Sequence, residues 1–375
     1  MKTNVSAQKR TADAAATQVI NLALFGHGLV GGTLINQILE SQTHIEARKK
    51  IRLNIFAVAN SKKLLLNAQG ISSNWNVAIQ NQGVGYALSD VIAFAKSNKL
   101  ENLIAVDNTA SSSFVTNYEA LIAGGFHLIS SNKIANTISY TFYQHLRKKL
   151  ADNQKEYLYE TNVGAGLPLI DTIKLLHLSG ENITKIKGVF SGTLSFLFNN
   201  YSVNHSNFST VLHQAIAAGF TEPDPREDLS GNDVARKLLV LARELELENE
   251  FDEIKIQNLI PEQFQKLFVP DFLAQTNQLD SYYANIKSSL QPDQVLRYVG
   301  ELSGDLQQNK GILETKLVAV PANSALGQLK GSDSIFEIYT ESYGENPIII
   351  QGAGAGAKVT ARGVFGDILR LASKN

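Results

Sequence analysis

The sequence predicts an α/β fold in two parts: a parallel-sheet nucleotide-binding domain, then an α+β domain with a mostly antiparallel sheet. Three observations carry this. Apolar strands alternate with helical patterns over the first 150 or so residues. The first strand runs straight into a glycine-rich turn and a helix. The later apolar runs follow one another with no helix between them, which favours antiparallel pairing.

The first strand is Val19 to Phe25, VINLALF, and the turn after it is Gly26-His27-Gly28-Leu29-Val30-Gly31-Gly32. Thr33 to Leu39 then carries Leu34, Ile35, Ile38 and Leu39 at helical spacing. Strand, tight glycine turn and helix together form the pyrophosphate cradle of a Rossmann domain. Such a turn can also exist for packing alone. The second strand, Leu53 to Val58, ends in Ala59-Asn60-Ser61-Lys62-Lys63. An NAD-specific domain usually carries Asp or Glu there. Two lysines without an acid favour NADP, with NAD possible, although the loop could equally be a solvated one.

Further strands, Leu103 to Val106 and Phe126 to Ile129, end in Asp107-Asn108-Thr109 and Ser130-Ser131-Asn132-Lys133. A helix is expected from about Phe114 to Ala123. Polar residues thus gather at the C-terminal strand ends, where open parallel sheets bind ligands. Lys133 is either a contact for cofactor or substrate or an ordinary surface lysine. Glu156 to Glu160 reads as another strand. Thr161 to Pro168 follows, then a helix with Pro168 in its first turn and Gly180 past its end. The turn is either a hinge or a backbone-carbonyl site for a hard monovalent cation beside Glu160.

The densest charge lies between Ala215 and Lys237, which holds Glu222, Asp224, Glu227, Asp228, Asp233, Arg236 and Lys237. Only 18% of the chain is charged, so this crowding stands out. Asp233 and Lys237 lie one helical turn apart, on the edge of a stripe formed by Val234, Leu238, Leu241 and Leu245. A plain surface ion pair would account for those two. It would not account for Glu222 and Asp228 on a turn braced by Pro and Gly. A lysine beside a nucleotide site can protonate the oxygen of a carbonyl that accepts a hydride, and nearby carboxylates can hold a substrate ammonium. Strands are expected at Val295 to Leu302, Thr315 to Val320, Ser334 to Tyr339 and Pro347 to Ile350. QGAGAG, residues 351–356, breaks that sheet, and a last helix, Val359 to Ala372, would return to the nucleotide domain. The expected division is a tail at 1–18, a nucleotide domain at 19–155 completed by 352–375, and a substrate and dimerisation domain at 156–351.

Composition narrows the function classes. The 375 residues are 44% hydrophobic and carry a net charge of −1, with no basic tract for nucleic acid or an anionic membrane. No apolar run approaches the ~18–20 residues of a membrane span. There is no secretory signal, so a cytoplasmic location is the expectation. Cysteine is absent, which removes disulfides, thiolate nucleophiles and zinc–sulfur sites.

GFTEPDP, residues 219–225, with DLSGNDVARK, residues 228–237, closely resembles the signature of homoserine dehydrogenase. The resemblance extends from Val19 over nearly the whole chain, through GHGLVGG, VANSK, VDNT, SNKIAN, ETNVGAGLP, FSGTLSF, LRYVG and GAGAGAKVTARGVFGDILR. It is strongest to the dehydrogenase half of bifunctional aspartokinase–homoserine dehydrogenases; no kinase or regulatory ACT portion is recognisable. The resemblance implies NADPH- or NADH-dependent reduction of L-aspartate 4-semialdehyde to L-homoserine, a step towards threonine, methionine and isoleucine. It implies Lys237 as proton donor, with Asp228 supporting it, and Glu222 and Asp233 as substrate ligands. Lys133 would meet both cofactor and substrate. Gly26, Gly28, Leu29, Val30, Gly31, Asn60, Thr109 and Gly356 would contact the cofactor. Glu160 and the carbonyls of Val163, Ala165 and Leu167 would hold a sodium-type cation, and the chain would form a homodimer. His27, at a variable position of the turn, departs from the pattern and bears on cofactor affinity. Two other readings start from the same residues: another nicotinamide-dependent reductase of a small amino-acid aldehyde or keto acid, or a nucleotide-binding regulator without turnover.

Overall fold

The computed structural model of the chain describes residues 17–374. Of the predicted tail, residues 1–16 lie outside the described residues, and Gln18 already belongs to the first strand. The first sheet comprises β1 (Gln18–Phe25), β2 (Ile51–Ala59), β3 (Leu64–Leu66), β4 (Leu103–Asp107), β5 (His127–Ser130) and β6 (Tyr157–Leu158). Their order in space is β3-β2-β1-β4-β5-β6, parallel except for β3. In β1, Ile20 through Phe25 are all buried, Asn21 included at 4% exposure. Such a continuous apolar run suits a strand covered on both faces. Register aligns Phe25 with Ala59 and Asp107, and Asp107 with Ser130. The polar residues that follow each strand therefore end along one edge.

Helix α1 (Leu29–Lys49) crosses from β1 to β2 and buries Leu34, Ile35, Ile38 and Ile45. It is longer than predicted because Lys50, not a glycine, ends it in the left-handed region, at φ 57. The predicted helix at 114–123 is two short helices, Ser112–Val115 and Tyr118–Ala123. The predicted strand at 156–160 keeps only Tyr157 and Leu158. Glu160–Asn162 forms a 3-10 turn, with the Glu160 N–H donating to Asp367 at 3.1 Å. The C-terminal helix, Ala357–Ala372, places Val364, Phe365, Ile368 and Leu371 in one core with Leu22, Leu24 and Leu34.

The second sheet comprises β7 (Ile183–Val189), β8 (Lys255–Ile256), β9 (Gln294–Ser303), β10 (Ile312–Pro321), β11 (Ser334–Thr340) and β12 (Ile348–Gly352). Its order is β12-β11-β7-β9-β10-β8, antiparallel apart from β8 against β10. β7 gave no clear strand signal, because ITKIKGV carries two lysines and an interior glycine. Those lysines belong to the sheet's polar face, where Lys187 stands opposite Glu301 at 3.8 Å. Three helices matter for the site: α2 (Gly192–Val203), which packs on β9; α3 (Pro225–Leu229); and α4 (Asn232–Glu244). No helix among the described residues is long and apolar enough to cross a membrane.

Candidate active site

A cavity of about 700 Å³ opens at the C-terminal edge of the first sheet, lined among others by Gly26, Gly28, Asn60, Asn108 and Thr109. Three glycines shape it. Gly26 has φ +82, and a Cβ there would lie 2.8 Å from the Asn108 carbonyl oxygen. A Cβ on Gly31 would collide with the Gly26 carbonyl, so α1 can pack against the turn only without one. A Cβ on Gly28 would meet no atom within 4 Å, so the backbone stays open to the cavity. α1 starts at Gly28 with no side-chain cap, and its first N–H groups are left for an anion. The arrangement fits the pyrophosphate of a dinucleotide.

Beneath the strand tips, buried Asp107 accepts from the Thr109 N–H at 2.7 Å, the Tyr118 hydroxyl at 2.7 Å and the Asn132 amide at 3.1 Å. Burial raises its carboxyl above the ordinary range, and these donors act against that rise. Asp107 thereby fixes the two loops that end β4 and β5. At the tip of β2, the Asn60 amide oxygen accepts from the backbone N–H groups of Lys62 and Lys63, at 2.8 and 2.7 Å. The Lys63 ammonium turns away to the Gln80 carbonyl. One of the two lysines expected to face a 2′-phosphate is therefore engaged elsewhere, and Lys62 is exposed.

Of the other residues predicted to contact cofactor, Leu29 and Val30 form the first turn of α1, and Leu29 is 85% exposed. Gly356 opens the C-terminal helix at φ 117. Gly31, Lys133 and Gly356 lie off the cavity's wall.

Lys133 instead joins the acidic cluster. α4 begins at Gly231, which takes φ 78 and abuts the Tyr298 hydroxyl so closely that a Cβ would not fit. That start sets Asp233 and Lys237 one turn apart, with Nζ 2.8 Å from Oδ2. Lys133, from the loop after β5, reaches the other oxygen at 3.4 Å. The Lys237 ammonium also donates to the Phe190 carbonyl at 2.9 Å. Its side chain is only 13% exposed, against 49% for Asp233. Burial in the cleft would raise the Asp233 carboxyl; the two ammonium groups outweigh it and hold the carboxyl well below the usual range.

Asp228 lies close by in a different role. It accepts from the Glu222 N–H at 2.9 Å and pairs with the Thr193 hydroxyl at 2.9 Å. Among the described residues no hydrogen bond or ion pair joins it to Lys237; its contacts brace the Glu222 turn. Burial, then the charges of Glu222 and Asp233, push its carboxyl up. Glu222 itself is exposed. Asp224 and Arg226 turn out to be structural. Asp224 caps α3, and its carboxylate holds the Arg226 guanidinium at 2.7 Å. The same guanidinium donates to the carbonyls of Phe264, Gln265 and Leu267.

Glu160 and Leu167 line a second cavity of about 430 Å³, together with Asp367. Both Glu160 oxygens accept N–H groups, from Ile170 at 2.8 Å and Asp171 at 3.0 Å. Burial, and then the neighbouring Asp367 charge, push Glu160 up to about 7. Val163 and Ala165 are buried, and Ala165 takes φ 53. The Leu167 carbonyl already accepts from the Leu169 N–H at 2.9 Å. A carboxylate has about four acceptor positions, so two remain on Glu160, and these are oxygens of the kind a hard cation takes. Val163 and Ala165 are not among the residues lining this cavity.

Residues 168–369 match the family model for homoserine dehydrogenase, and residues 26–160 match the model for the homoserine dehydrogenase NAD binding domain. A homoserine dehydrogenase of Schizosaccharomyces pombe is 35% identical over 366 residues, covering 95% of this chain and 96% of the yeast protein. The chain belongs to the homoserine dehydrogenase family. A bifunctional aspartokinase/homoserine dehydrogenase of Buchnera aphidicola is 40% identical over 359 residues, which is 95% of this chain and 43% of that relative. The chain thus spans under half the length of the bifunctional relatives it matches. Among solved structures, a Candida auris protein aligns with TM-score 0.84 and 31% identity, covering 95% of this chain and 99% of that one. A hyperthermophilic archaeal homoserine dehydrogenase solved with NADPH shares the fold, at TM-score 0.72 and 20% identity, over 96% and 99% of the two chains. A nicotinamide dinucleotide is the cofactor that the family's NAD-binding domain takes.

Thr193, Asp107 and the Phe190 carbonyl were not singled out from the sequence. FSGTLSF drew notice only through the resemblance. A carbonyl's role leaves no trace in a residue name.

Proposed function

We propose that this chain catalyses the reversible reduction of L-aspartate 4-semialdehyde to L-homoserine, with NADP as preferred cofactor. One observation carries the reading beyond family membership: Lys133, Asp233 and Lys237 meet in one cluster, although Lys133 comes from the nucleotide-binding sheet and the other two from α4. A bound nicotinamide supplies hydride to the aldehyde carbon. Lys237 gives the proton that turns the resulting alkoxide into a hydroxyl. Its ammonium is held by Asp233 and the Phe190 carbonyl, which leaves a third N–H for substrate. Glu222 and Asp233 bind the substrate's ammonium and oxygen, and Asp228 fixes the Glu222 turn. In the oxidative direction Lys237, as the free amine, takes the hydroxyl proton.

The discriminating assay follows reduced-cofactor absorbance with NADPH and aspartate semialdehyde, and with NADP and homoserine at alkaline pH. No turnover in either direction would sink the dehydrogenase reading and leave a nucleotide-binding regulator. Turnover only with a different aldehyde would favour a related reductase. A kcat/KM clearly higher with NADH would overturn the cofactor preference.

Two further parts of the reading are separable. Glu160, with the Val163, Ala165 and Leu167 carbonyls, holds a sodium-type cation; the melting temperature should then rise in sodium chloride over choline chloride of equal ionic strength. The chain forms a homodimer through the polar face of the second sheet, which sedimentation equilibrium would reveal.

A further inference from the structure

Among the described residues, the cavity under the glycine turn has an imidazole on its wall and no lysine, arginine or carboxylate there, and His27 and Tyr86 are its only titratable lining residues. Tyr86 donates to the Asn60 carbonyl at 3.1 Å, and burial raises its phenol, so it stays neutral. On the adjoining loop, the Lys63 ammonium is bonded to Gln80, and Lys62 is exposed.

His27 Nε2 lies 3.0 Å from Asn60 Nδ2. Asn60 stands at the tip of β2, where folds of this class read the 2′ substituent of the adenosine ribose. Its amide orientation is fixed, because the oxygen already accepts from two backbone N–H groups. The atom facing His27 is therefore a donor, and Nε2 must accept. Protonation would turn Nε2 into a second donor, leaving two donors face to face. An anion between them gives both a partner, through charge-assisted hydrogen bonds.

We propose that protonated His27, with Asn60 as second donor, binds a 2′-phosphate on the adenosine ribose and so selects NADP in this chain. The proposal rests on the dinucleotide reading above and assigns its cofactor preference to a particular residue. A bare 2′-hydroxyl carries no charge and does not require the protonated ring. Preference for the phosphate should therefore strengthen as pH falls through the range in which imidazole gains its proton.

The test needs no turnover. Trp75 is the chain's one tryptophan, and its ring lies 5.5 Å from that of His27, edge-on. Its fluorescence can follow titration of the whole chain with 2′,5′-ADP and with 5′-AMP, at about pH 6.5 and about pH 8. The native protein should prefer 2′,5′-ADP, and more strongly at the lower pH. His27→Val should lose roughly tenfold of that preference, the scale of one charge-assisted hydrogen bond. Its 5′-AMP affinity should fall less than its 2′,5′-ADP affinity, and saturable 5′-AMP binding reports an intact pocket. Any pH dependence left in His27→Val belongs to the phosphate's own titration. His27→Lys should keep the preference and lose the extra pH dependence. An unchanged preference in His27→Val would overturn the proposal, as would a native preference no steeper with pH than the variant's. A chain that shows the expected pattern but does not oxidise homoserine would lose the dehydrogenase reading and keep this one.

Discussion

Two ion pairs a few residues apart show how similar charges come to different ends. Asp224 and Arg226 form a closed pair: the carboxylate caps α3, and the guanidinium fills its donors with that carboxylate and three backbone carbonyls. Asp233 and Lys237 form an open one. Asp233 is shared between two ammonium groups, and half of its surface still faces the cleft. Satisfied partners mark a brace, and spare donors and acceptors leave room for a ligand. Charge density alone does not separate the two.

The largest expected effect tests the open pair. Lys237→Ala should lower kcat by roughly 10²-fold or more, the scale of a positioned general acid. Near-native turnover would remove Lys237 from that role. Next, Glu222→Gln should raise KM for homoserine by roughly tenfold, as for a lost hydrogen bond to a charged group. An unchanged KM would take Glu222 out of the substrate site.

Arg226→Ala tests the closed pair. It should cost about 1–3 kcal/mol of stability in denaturant unfolding, because carbonyls and a carboxylate lose their partner. Its kcat/KM per folded molecule should barely move. A loss of turnover with unchanged stability would reverse the contrast.

The smallest effect concerns Asp228, whose carboxyl is raised above its ordinary 3.8 by burial and by its acidic neighbours. A raised folded pKa means that the neutral acid stabilises the fold. That contribution is complete below the unfolded value and is lost as pH rises through the folded one. Asp228→Asn keeps an acceptor for the Glu222 N–H without the charge. Its melting temperature should therefore fall less than the native protein's as pH rises from about 4 towards neutrality. A parallel fall in both proteins would show that Asp228 is not the group responsible.

Much of this was legible in the sequence because its signals are local. Gly26, Gly28 and Gly31 are spaced by the geometry of a single turn, and Asp233 and Lys237 by a single turn of helix. The failures are also physical. β7 hid behind two lysines that a polar sheet face accepts, and α1 ended at Lys50 instead of at a glycine. The 156–160 strand shortened because Glu160 bonds to a residue far along the chain.

By itself the sequence determined the α/β class, the nucleotide turn and the one-turn spacing of Asp233 and Lys237, since each rests on residues near one another in the chain. Only the tertiary structure decided which carboxylates stay open. It also brought Lys133 to Asp233, turned Lys63 away from the cavity and set His27 against Asn60. Each of those depends on where a distant backbone carbonyl, amide or side chain falls, and local spacing carries no record of that.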